Sequence, residues 1–190
     1  MQNFGNLGGG ILSAGIVSLA LLAIQSSLQA TQNETTWRDS LASAKSLAGF
    51  NPGQHSVREL TLTDKDLRDA FLDDKDLTGS YMNNVNLAGA HLARAVLKNA
   101  NLRGADLSTA NLAKADLTGA DLRSANMARA TIWSVKSFKG AKVDAHTCWP
   151  DKTFHDMKKL VADVDGFDAD GSPNDKVKGV ESPDKACEKR

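Results

Sequence analysis

From Leu62 to Ile132 every fifth residue is large and apolar. The series runs Leu62, Leu67, Leu72, Leu77, Met82, Leu87, Leu92, Leu97, Leu102, Leu107, Leu112, Leu117, Leu122, Met127, Ile132, and Ser137 ends it. A helix repeats every 3.6 residues and a strand every two, so neither generates a strict five. A fixed short period instead marks units that stack to bury what none buries alone. Two positions before each large residue stands Ala, Ser or Val from Ala70 to Ala130, with Lys75 the exception in that span. One large and one small inward side chain per unit fills a narrow interior without voids, as close packing requires.

Between the small and the large residue most units place Asp or Asn, as in the run ANLRG ADLST ANLAK ADLTG ADLRS from Ala100 to Ser124. Such periodic carboxylates and amides suit side-chain-to-backbone hydrogen bonds at chain corners rather than acid–base chemistry. The pattern A-[DN]-L-x-x, from about Thr61 to Trp133, resembles the pentapeptide-repeat family. That resemblance implies an all-β solenoid, a right-handed quadrilateral β-helix of about four coils with four units to the coil. At the usual strand spacing the rod is about 20 Å long, and short helices cap its ends. The start of the repeat departs from the pattern. Lys65 and Lys75 occupy small inward positions, where an ammonium must snorkel out or find partners. Phe71, Tyr81, His91, Val96 and Thr131 stand where Asp or Asn is usual. The outward Phe71, Tyr81 and Val96 are expected to form a sticky surface or to lie under flanking segments.

Formal charge balances at 23 Lys+Arg against 23 Asp+Glu, so no overall field points to nucleic acid. The distribution is uneven. Arg58 to Met82 carries seven acids and four bases, a net of −3, and Asn83 to Ala145 carries nine bases and four acids, a net of +5.

The chain divides by pattern into residues 1–30, 31–56, 57–145, 146–165 and 166–190. From Leu7 to Leu28 there are 22 uncharged residues, close to the roughly 20 of a membrane-spanning helix. No Lys or Arg precedes them, which favours an uncleaved single-pass anchor over a signal peptide. Arg38 and Lys45 follow, a weak bias toward a cytoplasmic repeat domain, with an exported or periplasmic one as the alternative. Gly10, Ala14 and Ser18 form a small-residue face through which two anchors can approach. Thr36 and Asp39 read as an N-terminal cap for a short helix with Trp37, Leu41, Ala44, Leu47 and Ala48 on one face, stopped at Gly49.

After the repeat, Thr147-Cys-Trp-Pro150 resembles the exit segment of the family. A second short helix follows, with Phe154, Met157, Leu160, Val161 and Val164 on its apolar face, to cap the last coil or make a homodimer. Asp163, Asp165, Asp168, Asp170 and Asp175 offer oxygen ligands for Ca²⁺, but the full twelve-residue loop pattern is absent. Residues 166–190 read as a disordered polar tail. The two cysteines, Cys148 and Cys187, pair as a disulfide in an oxidising compartment and remain thiols in a reducing one.

No catalytic constellation stands out. His55, His91, His146 and His155 are dispersed, and there is no phosphate loop, dinucleotide fingerprint or zinc-protease motif. No cofactor is expected. The reading is a membrane-anchored scaffold without catalysis that docks an unidentified protein partner. Its candidate surface is Asn83, Arg103 and Arg123 on one side, Arg94 and Lys114 on another, with Phe71 and Tyr81. The family resemblance implies an alternative, a DNA-mimicking binder of type II topoisomerase, but that role suits a long acidic rod. Binding of anionic lipid or nucleic acid by the basic coils is a further alternative; nucleic acid is the less expected because that surface lacks aromatic stacking residues.

Overall fold

A turn closes every unit. In the unit of Leu102 the Ala105 N–H donates to the Leu102 carbonyl at 3.0 Å, and the same bond recurs from Leu67 to Ala125. The third residue of each turn lies at positive φ, whether Gly104 (69°), Asn84 (54°) or Thr109 (57°). That is the signature of a type II turn, and it turns the chain by one corner every five residues. Gly104 also leaves room for a neighbour, because a Cβ there would run into the Asn84 carboxamide of the preceding coil.

The computed structural model describes residues 9–150 apart from Trp133 and Ala145, with side chains from Leu19 onward. Its repeat segment is a parallel solenoid. Bridges join Thr61 to Tyr81, Tyr81 to Asn101 and Asn101 to Asp121, and the other sides pair with the same offset of 20. Four five-residue units therefore make one coil. Each side contributes a single bridge rather than a longer strand among the described residues, because a corner interrupts it at once. The large residues stack inward in four columns, and Leu62 through Ile132 are fully buried. The small column from Ala70 to Ala125 is equally closed to solvent, apart from Lys75.

The solenoid is longer than the repeat. Ser46 already pairs with Asp66, and the Leu47 N–H donates to the Asp66 carbonyl at 2.7 Å, so winding begins at 46 rather than 57. At the other end the offset widens to 21 between Asp116 and Ser137 and to 22 between Asn126 and Cys148. The path absorbs the extra residues at corners, while Phe138, Ala141, Val143 and Trp149 continue the buried column. Phe138 and Trp149 meet edge to face at 5.8 Å. Residues 146–148 thus still belong to the winding instead of leading away from it.

Ahead of the solenoid, α1 runs unbroken over Gly9–Ser43, 35 residues. The expected cap at Thr36 is absent. The Thr36 hydroxyl instead donates back to the Gln32 carbonyl at 2.9 Å, a bond available only inside a continuing helix. The helix stops at Ser43, not Gly49; Trp37 is half-buried, and Ala48 is exposed rather than packed. The chain divides into two compact units at Ser40 and Leu41. Among the described residues no helix is long and apolar enough to cross a membrane. The span expected at residues 7–28 begins outside the described residues, and its side chains are described only from Leu19. There Leu19, Leu21, Leu22, Ile24 and Leu28 are 55–69% exposed.

The two inward lysines are accommodated by snorkelling. Lys65 Nζ donates at 3.0 Å to the Ala42 carbonyl, in the last turn of α1, and at 2.6 Å to the Ala44 carbonyl just beyond it. Lys75 Nζ donates to the Gly53 carbonyl at 2.6 Å. A cation at a helix C-terminus is also favoured by the helix dipole. Lys65→Met is expected to cost about 1 kcal/mol and to speed amide exchange at Ala44 and Leu47, with Lys65→Arg close to wild type. Equal exchange in Lys65→Met and wild type would show that the contact does nothing.

Candidate functional site

The offset of 20 sorts the outward residues into columns. On the face built over Leu102, Tyr81, Asn101 and Asp121 form one column and Asn83, Arg103 and Arg123 the next. On the face over Leu112, Phe71, His91 and Asn111 form one column, with Arg94 and Lys114 at the corner beyond. The two groups singled out from sequence are therefore each brought together. Phe71 and Tyr81 are not. They lie ten residues apart, half a coil, and so on opposite faces, while Val96 stands on a third. Of the two expectations, neither a shared sticky surface nor cover by flanking segments describes Phe71 and Tyr81, which are two separate exposed aromatic spots. Phe71, 47% exposed, stacks on the His91 ring at 5.0 Å, and Tyr81 is 56% exposed with no ring partner among the described residues.

The corner hydrogen bonds account for most of the Asp and Asn residues. Asp106 accepts from the Ser108 N–H at 3.0 Å, Asn111 from Ala113 at 3.1 Å and Asp116 from Thr118 at 3.2 Å. Several carboxylates hold a cation as well. Asp66 binds Arg68, Asp74 binds Arg94, Asp76 binds Arg58, and Asp121 binds Arg123. Arg94 and Arg123, both candidates from sequence, are thus occupied within the chain. Arg103 and Lys114 have no carboxylate partner among the described residues.

Sequence reasoning missed Asp116. It is 4% exposed, accepts from the Thr118 hydroxyl at 2.6 Å, and lies 3.5 Å from Lys98 and 3.3 Å from Lys136. Nothing in its unit distinguishes it from its neighbours; only winding brings the two lysines to it.

These contacts set the acid response. Burial opposes ionisation of Asp116, but the Thr118 side chain and N–H, Lys136 and Lys98 outweigh it and hold its carboxyl below the usual range. Asp121 is held low chiefly by the Arg123 guanidinium. At Asp144 burial is outweighed by the Ser124 N–H and hydroxyl, the His146 N–H and Thr147. Each group is more acidic folded than unfolded, where aspartate titrates near about 3.9. Their stabilisation is complete well above that value and is lost as pH falls through it toward the folded values. The urea midpoint is expected to be level near neutrality and to drop below about pH 4. A midpoint that holds or rises down to pH 2 would contradict this.

No group of three or more His, Cys, Asp or Glu side chains among the described residues could hold a metal ion. Asp163, Asp165, Asp168, Asp170 and Asp175, the second short helix and Cys187 lie outside the described residues. Cys148 is buried.

The pentapeptide-repeat family model, with eight copies, matches residues 62–99 and 90–129. Among solved structures, the pentapeptide repeat protein alr5209 from Nostoc PCC 7120 is 33% identical, with a TM-score of 0.45. The match covers 55% of this chain and 82% of that one. Rfr23, from the cyanobacterium Cyanothece 51142, is 29% identical with a TM-score of 0.49, covering 53% of this chain and 67% of that one. QnrB1, a plasmid-mediated fluoroquinolone resistance protein, is 11% identical with a TM-score of 0.31, covering 76% of this chain and 84% of that one. The sequence matches no curated protein.

Proposed function

We infer that this chain, which belongs to the pentapeptide-repeat family, is a non-catalytic platform that presents rigid columns of side chains to a protein partner. One observation carries this reading: the outward residues are locked in register by backbone bridges every 20 residues. A surface so fixed loses little conformational entropy when a partner docks. Asp66, Asp106, Asp116 and Asp121 are engaged by corner N–H groups or arginines.

The platform is held at a membrane by residues 7–28. Supporting this are the 22 uncharged residues, and the exposed Leu19, Leu21, Leu22, Ile24 and Leu28 on α1, an apolar surface that water does not favour. DNA mimicry is the weaker reading, because Asp66, Asp74, Asp76 and Asp121 are each neutralised by an arginine.

Site-specific photo-crosslinking in cells, from one outward residue on each face (Tyr81, His91, Val96, Ser108), tests the platform. One protein crosslinked from one face supports it, and silence from all four overturns it. Fractionation of the same cells tests the anchor. Full-length protein in the membrane fraction supports it, and soluble protein beginning near Thr31 overturns it.

A further inference from the structure

The motif acid-or-amide, Leu, Arg occurs three times in the solenoid, as Asp66-Leu67-Arg68, Asn101-Leu102-Arg103 and Asp121-Leu122-Arg123. All three make the same corner. Oδ1 of the first residue accepts the arginine backbone N–H at 3.2 Å in each. In the two aspartate copies the carboxylate also takes the guanidinium in a fork. Asp66 accepts from Arg68 at 2.9 and 2.8 Å, and Asp121 from Arg123 at 2.9 and 2.5 Å. In the third copy the second oxygen is replaced by an amide NH₂, a donor, which cannot receive the fork. Arg103 is left exposed, with no carboxylate among the described residues.

Its surroundings differ from those of an ordinary surface arginine. Tyr81, 56% exposed, pairs through its backbone with Asn101 and so stands one coil from the Asn101–Arg103 corner. Asn83 lies next to Arg103 in its own column. Exposed Tyr and Arg are the residue types that most often anchor protein interfaces. Arg129 also lacks a carboxylate among the described residues, but it sits at a corner column with Thr109 and Gly89 and has no aromatic neighbour there. Further along the Tyr81 column Lys142 adds a second positive charge, while Asp121 is occupied by Arg123.

We propose that the face of Tyr81, Asn101 and Arg103 docks an acidic segment of a partner protein, with a partner carboxylate on Arg103 in the place that Asp66 and Asp121 fill for Arg68 and Arg123. This rests on the platform reading above and names the face and the chemistry it selects. A planar guanidinium recognises a carboxylate through two parallel hydrogen bonds, which gives geometric as well as electrostatic selectivity.

The substitution Asn101→Asp separates this proposal from a general charge effect. It supplies the missing internal carboxylate, so it is expected to occupy Arg103 without disturbing the corner. Anisotropy with a fluorescein-labelled glutamate-rich peptide, on the full-length protein, reads the result. N101D and R103E are each expected to weaken binding about tenfold, equivalent to about 1.4 kcal/mol. R129E is expected to stay within about twofold of wild type. N101D should melt at or above the wild-type temperature, which excludes misfolding as the cause. Wild-type affinity in N101D, or equal loss in R129E, would overturn the proposal. So would binding of duplex DNA or phosphatidylglycerol vesicles, but not the peptide, with the same sensitivity to N101D. In cells, a partner crosslinked from another face and indifferent to N101D overturns this face and leaves the platform standing. No crosslink from any face removes both.

Discussion

Leu107→Ala is expected to lower folding stability by about 3–5 kcal/mol. Leu107 is fully buried, stacked between Leu87 and Met127 in its column. The walls around it are held by backbone bonds, Leu87 N–H to the Asp106 carbonyl at 2.6 Å and Leu107 N–H to the Asn126 carbonyl at 2.7 Å. A coil fixed above and below cannot contract onto a missing side chain, so the cavity stays open and its full cost is felt. Typical domains are stable by only about 5–15 kcal/mol, so the change takes a large share of the total. Urea denaturation followed by circular dichroism measures it. A loss under about 1 kcal/mol would mean that the coils relax around the gap, and that the interior is not the closed stack described.

Ser80→Ala is expected to cost about 2–4 kcal/mol, more than a surface serine ever does. Ser80 replaces the alanine of its unit and is fully buried. Its hydroxyl donates to the Val57 carbonyl at 3.0 Å and accepts the Leu60 N–H at 3.2 Å. Both backbone groups belong to the early part of the winding, where Leu60 itself is buried. Removing the hydroxyl leaves a buried donor and a buried acceptor without a partner, and each carries a desolvation penalty. Ser80→Thr keeps the hydroxyl but adds a methyl to a filled column, so it separates lost bonding from overpacking. Wild-type stability in Ser80→Ala would mean that water or another group reaches those backbone atoms.

Much of the fold was legible because the repeat is local. Each unit closes its own turn, so the period of five, the inward columns and the corner role of Asp106, Asn111 and Asp116 could be read residue by residue. The boundaries were not legible in the same way. Thr36 has the chemistry of a cap, yet it sits inside α1, because a Ser or Thr can bond back along a helix as readily as it caps one. Phe138 and Val143 fall out of the five-residue register, yet the coil keeps them inside by widening its corners.

The candidate surface shows the same division. Asn83, Arg103 and Arg123 were grouped correctly by a spacing of 20, but spacing does not say which guanidinium is occupied. The difference between Arg103 and Arg123 is a single atom pair, the amide of Asn101 against the carboxylate of Asp121. That difference was printed in the chain and acquires meaning only once the corner geometry is known. Phe71 and Tyr81 stand at the same position of units ten residues apart, and half a coil of winding turns them to opposite faces.

By itself, the sequence determined the period, the identity of the inward columns and the family, since these follow from units that each close their own turn and bury their own leucine. Only the tertiary structure decided where winding starts and stops and how Lys65 is satisfied. It alone brought Lys98 and Lys136 to Asp116. Each of these depends on residues about 20 positions away, and contact across coils exists only after the chain has gone once around.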